Sequence, residues 1–315
     1  MIAFLLRRLG HGVFVLLLVS TVTFAIMLAA PGGPSVLADP KLSTVERAEI
    51  ETRLGLDQPP VVQYTRWLGR AVRGDFGASF LYQTPSLDSI ASRLPPTLLL
   101  AGAALMVTLA VGIPLGMLAA ARRGGALDRL VAATSGVALA VPVFWSGLML
   151  VFVFAVWLRL LPAGGAMTEG GDATLADRLR HLMLPAIVLA SAGCAEVIRY
   201  TRSAALTTLA LPFMQVARAR GLSSRRLLWR HALRHVLTSV ITVIGLQLPR
   251  LVGGAAITET VFSWPGMGRL GVEAALGRDY PLVMAVTLVV SAGVVVASIL
   301  ADVVQMMIDP RVRVA

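Results

Sequence analysis

Residues 212–235, PFMQVARARGLSSRRLLWRHALRH, lie between two hydrophobic segments and carry Arg218, Arg220, Arg225, Arg226, Arg230 and Arg234 with no acid among them. A stretch that basic crosses hydrocarbon only at high cost, and an excess of Lys and Arg beside apolar spans marks the cytoplasmic side of a membrane. It therefore reads as a cytoplasmic loop. Its interior is not that of a linker. Phe213, Val216, Ala217 and Ala219 precede Gly221, and Leu227, Leu228 and Trp229 follow it. This pattern predicts two short helices hinged at a glycine that either caps the first helix or lets backbones approach closely. Two readings stay open at this point. A soluble partner grips the structured loop, or its arginines only set topology and touch anionic headgroups.

Composition supports the membrane setting. Of 315 residues, 57% are hydrophobic and 14% charged, and the mean hydropathy of +0.79 lies outside the range of soluble domains. The formal charge of +11 is concentrated in the first tail, residues 122–129, residues 199–235 and the last tail, while residues 31–96, 159–181 and 262–281 each balance. That placement is topological, so nucleic acid is not the expected partner. One cysteine, Cys194, excludes an intrachain disulfide. His231 and His235 sit at i, i+4, but no carboxylate or thiol joins them, and no metal site is expected. The sole lysine is Lys41, preceded by Asp39 and Pro40, so the chain contains no phosphate-binding G-x-x-x-x-G-K-[ST] loop. Any ATP spent on its behalf is bound and hydrolysed by another chain, with no catalytic residue and no cofactor here.

Six spans emerge in order. Arg7 and Arg8 precede an apolar run, Val13 to Ala30, read as an uncleaved first span with its N-terminus inside. Residues 31–96 read as a small extracytoplasmic cap, with an amphipathic helix from Thr44 (N-cap) to Leu56 and an apolar stripe of Tyr64, Trp67, Leu68 and Val72. The second span, Thr97 to Ala121, starts after Pro95 and Pro96, and Gly112, Pro114 and Gly116 mark a kink. The third ends near Leu158 and is interrupted at Val141-Pro142 and Trp145. The fourth, Leu182 to Tyr200, places Glu196 and Arg199 at pairing distance, i, i+3. The fifth, Val236 to Val261, carries Gln247, Pro249 and Arg250 near its middle and Glu259 at its outer edge. A mid-depth charge costs about 2.5 kcal/mol or more unless it faces water or a partner. Gln247, Arg250 and Glu259 are therefore pathway candidates, with Arg250 either lining the path or paired with Glu196, Glu259 or an acid of another subunit. A short helix is expected from Met267 to Leu276. The sixth span, Leu282 to Ile308, returns the C-terminus inside. The fold class is all-α, integral to the membrane, with both termini cytoplasmic.

Three separated stretches resemble one family. The basic loop is similar to the coupling loop of binding-protein-dependent ABC importers, whose pattern is E-A-A, three residues, then glycine. Gly221 fits the glycine, and Gln215-Val216-Ala217 takes the E-A-A positions with only the last alanine kept. ARARGLS followed by HALR is closer to the peptide/nickel subfamily. RLGLDQPPVVQYTRWLGRAVRGDFGASF (53–80), ETVFSWPGMGRL (259–270) and the terminal Asp309-Pro310-Arg311 resemble its B-type permease subunit.

The resemblance implies one transmembrane domain over residues 1–315, with a cap at 31–96 and a coupling loop at 202–236. Gln215, Ala217, Arg218, Ala219, Arg220, Gly221 and Leu222 would dock on a cytoplasmic ATPase. The implied partners are a C-type permease, two ATPases, an extracytoplasmic solute-binding protein and membrane lipid, in the bacterial inner membrane. The cargo would be a dipeptide, oligopeptide, nickel chelate, glutathione or oligosaccharide. An ion-coupled transporter would show internal repeats and intramembrane acids, and an intramembrane serine protease would need a histidine at depth; the sequence offers neither.

Overall fold

The computed structural model describes residues 2–31, 33–37, 42–168, 170 and 174–308. Lys41 with Asp39 and Pro40, and the terminal Asp309-Pro310-Arg311, lie outside the described residues. Helices account for nearly everything else: α1 Ile2–Ala29, α2 Thr44–Leu54, α3 Pro60–Ala71, α4 Ser86–Ala121, α5 Ala126–Ala140, α6 Val143–Leu150, α7 Leu175–Leu209, α8 Pro212–Ala219, α9 Ser224–Arg226, α10 Leu233–Val261, α11 Met267–Leu276 and α12 Tyr280–Ile308. Two π-helical stretches extend them, Val151–Trp157 after α6 and Leu227–Ala232 between α9 and α10.

Five helical stretches are long and apolar enough to cross a membrane: Leu6–Ala29, Ser86–Ala121, Leu175–Leu209, Ser224–Leu251 and Tyr280–Met307. A sixth arises if Ala126–Ala140 and Val143–Trp157, bent by 107° at their junction, count together. That break falls where Val141-Pro142 placed it. Pro142 lacks the donor a continuous helix needs and biases Val141 to an extended backbone, observed at φ −82°, ψ 127°.

Several boundaries differ from expectation, among them the end of α2 at Leu54 rather than Leu56 and the longer α7, Leu175–Leu209 against an expected span of Leu182 to Tyr200. α4 begins at Ser86 and runs through Pro95 and Pro96 rather than starting after them. The N-cap of α2 is Ser43, not Thr44: its hydroxyl accepts from the Glu46 amide while the Glu46 carboxylate accepts from the Ser43 amide at 2.8 Å, a complete capping box. This reciprocal contact holds the Glu46 carboxyl below its ordinary range, chiefly through the Ser43 backbone bond. Val72 caps α3 and is 81% exposed, so the apolar stripe closes at Ala71 instead.

The chain divides into two compact units. The first comprises residues 1–97 and 265–295. In it, Tyr64, Trp67, Leu68 and Ala71 of α3 pack on Met27 and Met284, and Tyr64 meets the Ser20 and Thr21 hydroxyls at 2.9 Å. A neighbouring core gathers Ile90, Met267, Leu270, Ala274, Leu282, Ala285 and Val286. The second unit comprises residues 98–264 and 296–315, and its centre is the α7 and α10 pair. Leu184, Val188 and Phe262 form one core there, and Leu100, Leu182, Ala186 and Trp264 another.

Candidate functional site

Met214 anchors α8. It is 2% exposed, inside a core with Met117, Ala120, Val197, Leu227, Leu228 and Val236 drawn from α4, α7 and the helical run leading into α10. It is the one buried residue of α8. Gln215, Val216, Arg218, Ala219 and Arg220 are exposed, Ala217 and Leu222 half-buried. The large apolar side chains of Phe213, at 42%, and Val216, at 54%, are exposed among them. Phe213 is steadied by the His235 ring, 5.1 Å between centroids. A surface that shows apolar groups ringed by arginines, on a helix seated by one methionine, has the form of a docking site.

Gly221 ends this helix at φ +81°. The Leu222 amide donates to the Ala217 carbonyl at 3.3 Å and the Gly221 amide to Arg218 at 3.0 Å, the paired reversed bonds of a Schellman cap. Only a residue at ease in the left-handed region closes the helix this way, so the backbone itself accounts for the glycine. Ser223 then starts the next helix, its hydroxyl accepting from the Arg226 amide. The two short helices hinged at glycine are thus present, and the second continues through the π turn into α10.

The loop's footing includes a pair that sequence spacing did not reveal. Asp128, 5% exposed at the start of α5, accepts from Arg202 Nε at 2.6 Å and Nη2 at 2.8 Å, and from the Gly124 amide at 2.9 Å. This two-pronged bond fastens the 122–129 turn to the α7 segment that leads into α8. The partners are 74 residues apart, and only the unusual acid in a basic turn hinted at it.

Of the three charged or polar candidates in α10, two come together. Arg250 Nη1 donates to Glu196 Oε1 at 3.0 Å and Oε2 at 3.2 Å, and Gln247 Nε2 donates to Glu196 Oε2 and to the Gly193 carbonyl, both at 3.2 Å. Glu196 therefore pairs with Arg250, not with Arg199, which faces outward from α7. Gly193 is what lets the amide in, since a β-carbon there would collide with Gln247. Gln247 is 5% exposed, whereas the Arg250 side chain is 68% exposed and Glu196 27%. Glu259 does not join them. It is fully buried, nine residues further along α10.

Within the first unit, Asp279 is the organising side chain. It is fully buried, takes bonds from the Ser79 hydroxyl and the Leu81 amide (3.0 Å), and caps α12 by accepting from the Leu282 amide at 3.2 Å. The Thr97 hydroxyl accepts from the Met267 amide at 2.7 Å, fixing the start of α11. Tyr82 donates to Glu273 at 3.1 Å, and burial first, then that carboxylate, pushes its hydroxyl pKa up.

Comparison with known proteins identifies the family. Residues 112–314 match the family described as the binding-protein-dependent transport system inner membrane component, and residues 1–101 match the N-terminal family of the same membrane components. Over 99% of its length the chain is 41% identical to an oligopeptide transport system permease protein, AppB, of Bacillus subtilis, covering all of that protein. It is 34% identical to the dipeptide transport system permease protein DppB of Escherichia coli, across 99% of both chains. Among solved structures, the MetNI methionine ABC transporter in an inward-facing conformation aligns with a TM-score of 0.58 at 16% identity, over 71% of this chain and 97% of that one, which is a likeness of fold.

Proposed function

The chain belongs to the family of inner membrane components of binding-protein-dependent transport systems, and from that premise we propose that it is the permease subunit of an ATP-driven importer of peptides or related small solutes, forming half of the translocation pathway. It is a multi-pass protein of the bacterial cytoplasmic membrane. The ion-coupled and protease readings lose their ground with the family assignment.

In this reading α8 is the coupling helix. The observation that carries it is the seat of that helix: a single buried anchor, Met214, an exposed face of Phe213, Val216, Arg218 and Arg220, and a left-handed stop at Gly221. Gln215, Ala217, Ala219 and Leu222 complete the contact with a cytoplasmic ATPase. Both termini lie inside, and the 31–96 cap and α11 lie outside, where a solute-binding protein delivers cargo. A second, C-type permease and two ATPases complete the assembly, and ATP is bound by the ATPases alone. Closure of the ATPases shifts the spans between inward-open and outward-open populations through differential binding.

Arg250 serves cargo recognition. Glu196 holds its Nη1, and the exposed remainder of the fork offers donors to an anionic group such as a peptide carboxylate. The Glu196 bond offsets part of the cost of keeping a guanidinium within a span. Two experiments test these roles in the reconstituted importer. Gly221→Val should leave the chain inserted but abolish substrate-stimulated ATP hydrolysis, and wild-type stimulation in that variant rejects the coupling role. Arg250→Gln should impair uptake of peptides with a free carboxylate more than of their amides, and equal uptake of both excludes the recognition role.

A further inference from the structure

The first unit contains a cavity of about 680 Å³ among α1, α2, α3, the start of α12 and the 76–83 turn, within the roughly 300–1,000 Å³ typical of small-ligand sites. Its two surfaces differ in chemistry. Phe24, Met27, Trp67, Tyr280 and Met284 supply an apolar floor, whereas Arg53, Arg66 and Arg70 stand against one acid, Glu51, in the rest of the lining. Arg66 and Arg70 are i, i+4 on α3, so both guanidiniums stand on one side of that helix. All three arginines are exposed, and none has an ion-pair or hydrogen-bond partner among the described residues. Three guanidiniums over an aromatic and methionine floor select an occupant with an anionic oxygen head and an apolar body.

Where the cavity lies narrows the choice. Phe24 and Met27 belong to the last two turns of α1, and Tyr280 and Met284 to the first two turns of α12, and both helices are apolar enough to span. The floor is therefore at the hydrocarbon boundary and the arginines at headgroup depth, whichever face of the membrane that is. Tyr64 and Trp67 of α3 are the amphipathic aromatics that settle at this level. Earlier along α1, Leu17, Leu18 and Val22 are 42–52% exposed, a continuous apolar track for acyl chains.

We propose that this cavity binds the headgroup of an anionic phospholipid, with its phosphodiester among Arg53, Arg66 and Arg70 and its acyl chains descending along α1. The site rests on the spanning architecture and not on the transport reading, so the two fail independently.

The test is lipid retention by the purified protein after exchange through nanodiscs of equal palmitoyl-oleoyl phosphatidylglycerol and phosphatidylcholine, counted by native mass spectrometry. The wild type should keep phosphatidylglycerol about tenfold over phosphatidylcholine, equivalent to about 1.4 kcal/mol. Arg66→Gln/Arg70→Gln should bring that ratio to within about twofold of unity, and Arg53→Gln on the separate helix α2 should lower it partway. Arg47→Gln/Arg73→Gln, which removes the same charge outside the cavity, should leave the ratio unchanged. Equal retention of both lipids by the wild type, or loss of preference in the Arg47/Arg73 variant as great as in the Arg66/Arg70 variant, overturns the proposal. A third arm adds millimolar alanyl-phenylalanine. Peptide retained in place of lipid, with the same dependence on Arg66 and Arg70, reassigns the cavity to a peptide carboxylate and also overturns it.

Discussion

Two short helices, α8 and α11, differ in how the chain uses their apolar sides. α11 buries Met267, Leu270 and Ala274 in the chain's own core, and its first amide is held by Thr97. α8 buries Met214 alone and leaves Phe213 and Val216 in the open. The difference teaches that amphipathicity alone does not announce a binding surface. An apolar face already spent on internal packing stabilises the fold, and one left exposed is available to another protein. Within the 259–270 stretch that resembles the family, Phe262, Trp264, Met267 and Leu270 are accordingly structural, all at most 2% exposed. Of the large apolar residues of α11 only the last, Leu276, stands in the open, at 82%, so any contact with a binding protein would use that end of the helix with the half-buried Arg269 and Glu273.

Substitutions can break this contrast. The largest effect is expected at Gly221. A β-branched residue there meets left-handed strain of about 1–3 kcal/mol, which should unseat the end of α8 and lower substrate-stimulated ATP hydrolysis at least tenfold, with membrane insertion intact by protease accessibility. Asp279→Ala comes next. Removing a buried acceptor of three bonds should cost about 3 kcal/mol of stability, read as an earlier unfolding transition, while ATPase binding stays normal; loss of ATPase binding instead would collapse the distinction between α8 and the first unit. Asp128→Ala should lower stability by less than Asp279→Ala, because Arg202 is a third exposed and solvent screens the pair. Its signature is weaker ATPase binding than in Asp279→Ala despite the smaller stability loss.

The smallest effect concerns pH. The folded Glu46 carboxyl is held below its unfolded value, so its capping contribution is present above the ordinary carboxylate range and disappears as pH falls through the folded pKa. Amide exchange at Ser43 and Glu46 should rise there, with no change in α8 amides.

Much of this was legible in the sequence because local rules govern it. Gly221, the break at Pro142 and the bounds of α11 follow from backbone preference and periodicity over a few residues. What was not legible depends on chain segments far apart. The Asp128 and Arg202 pair and the choice of Arg250 over Arg199 by Glu196 are long-range contacts that no window contains. Glu259 was named from its place near the end of a span, but its complete enclosure by packing could not be read from that place. The Ser43 cap was missed by one residue although its Glu46 partner stood in plain view. Helix α4 runs through two adjacent prolines that the sequence reading placed just before its start.

The π turn at Leu227–Ala232 sets the angular phase between the loop and α10. A π turn holds one residue more than an α turn, and each residue of an α-helix rotates the chain by about 100°. Deleting a single residue within 227–232 would let the α pattern close up and would turn α9 about the α10 axis by that angle, aiming α8 away from its present direction without breaking either helix. The extra residue works as an alignment offset, and two spans and a loop of normal composition would be misaimed without it.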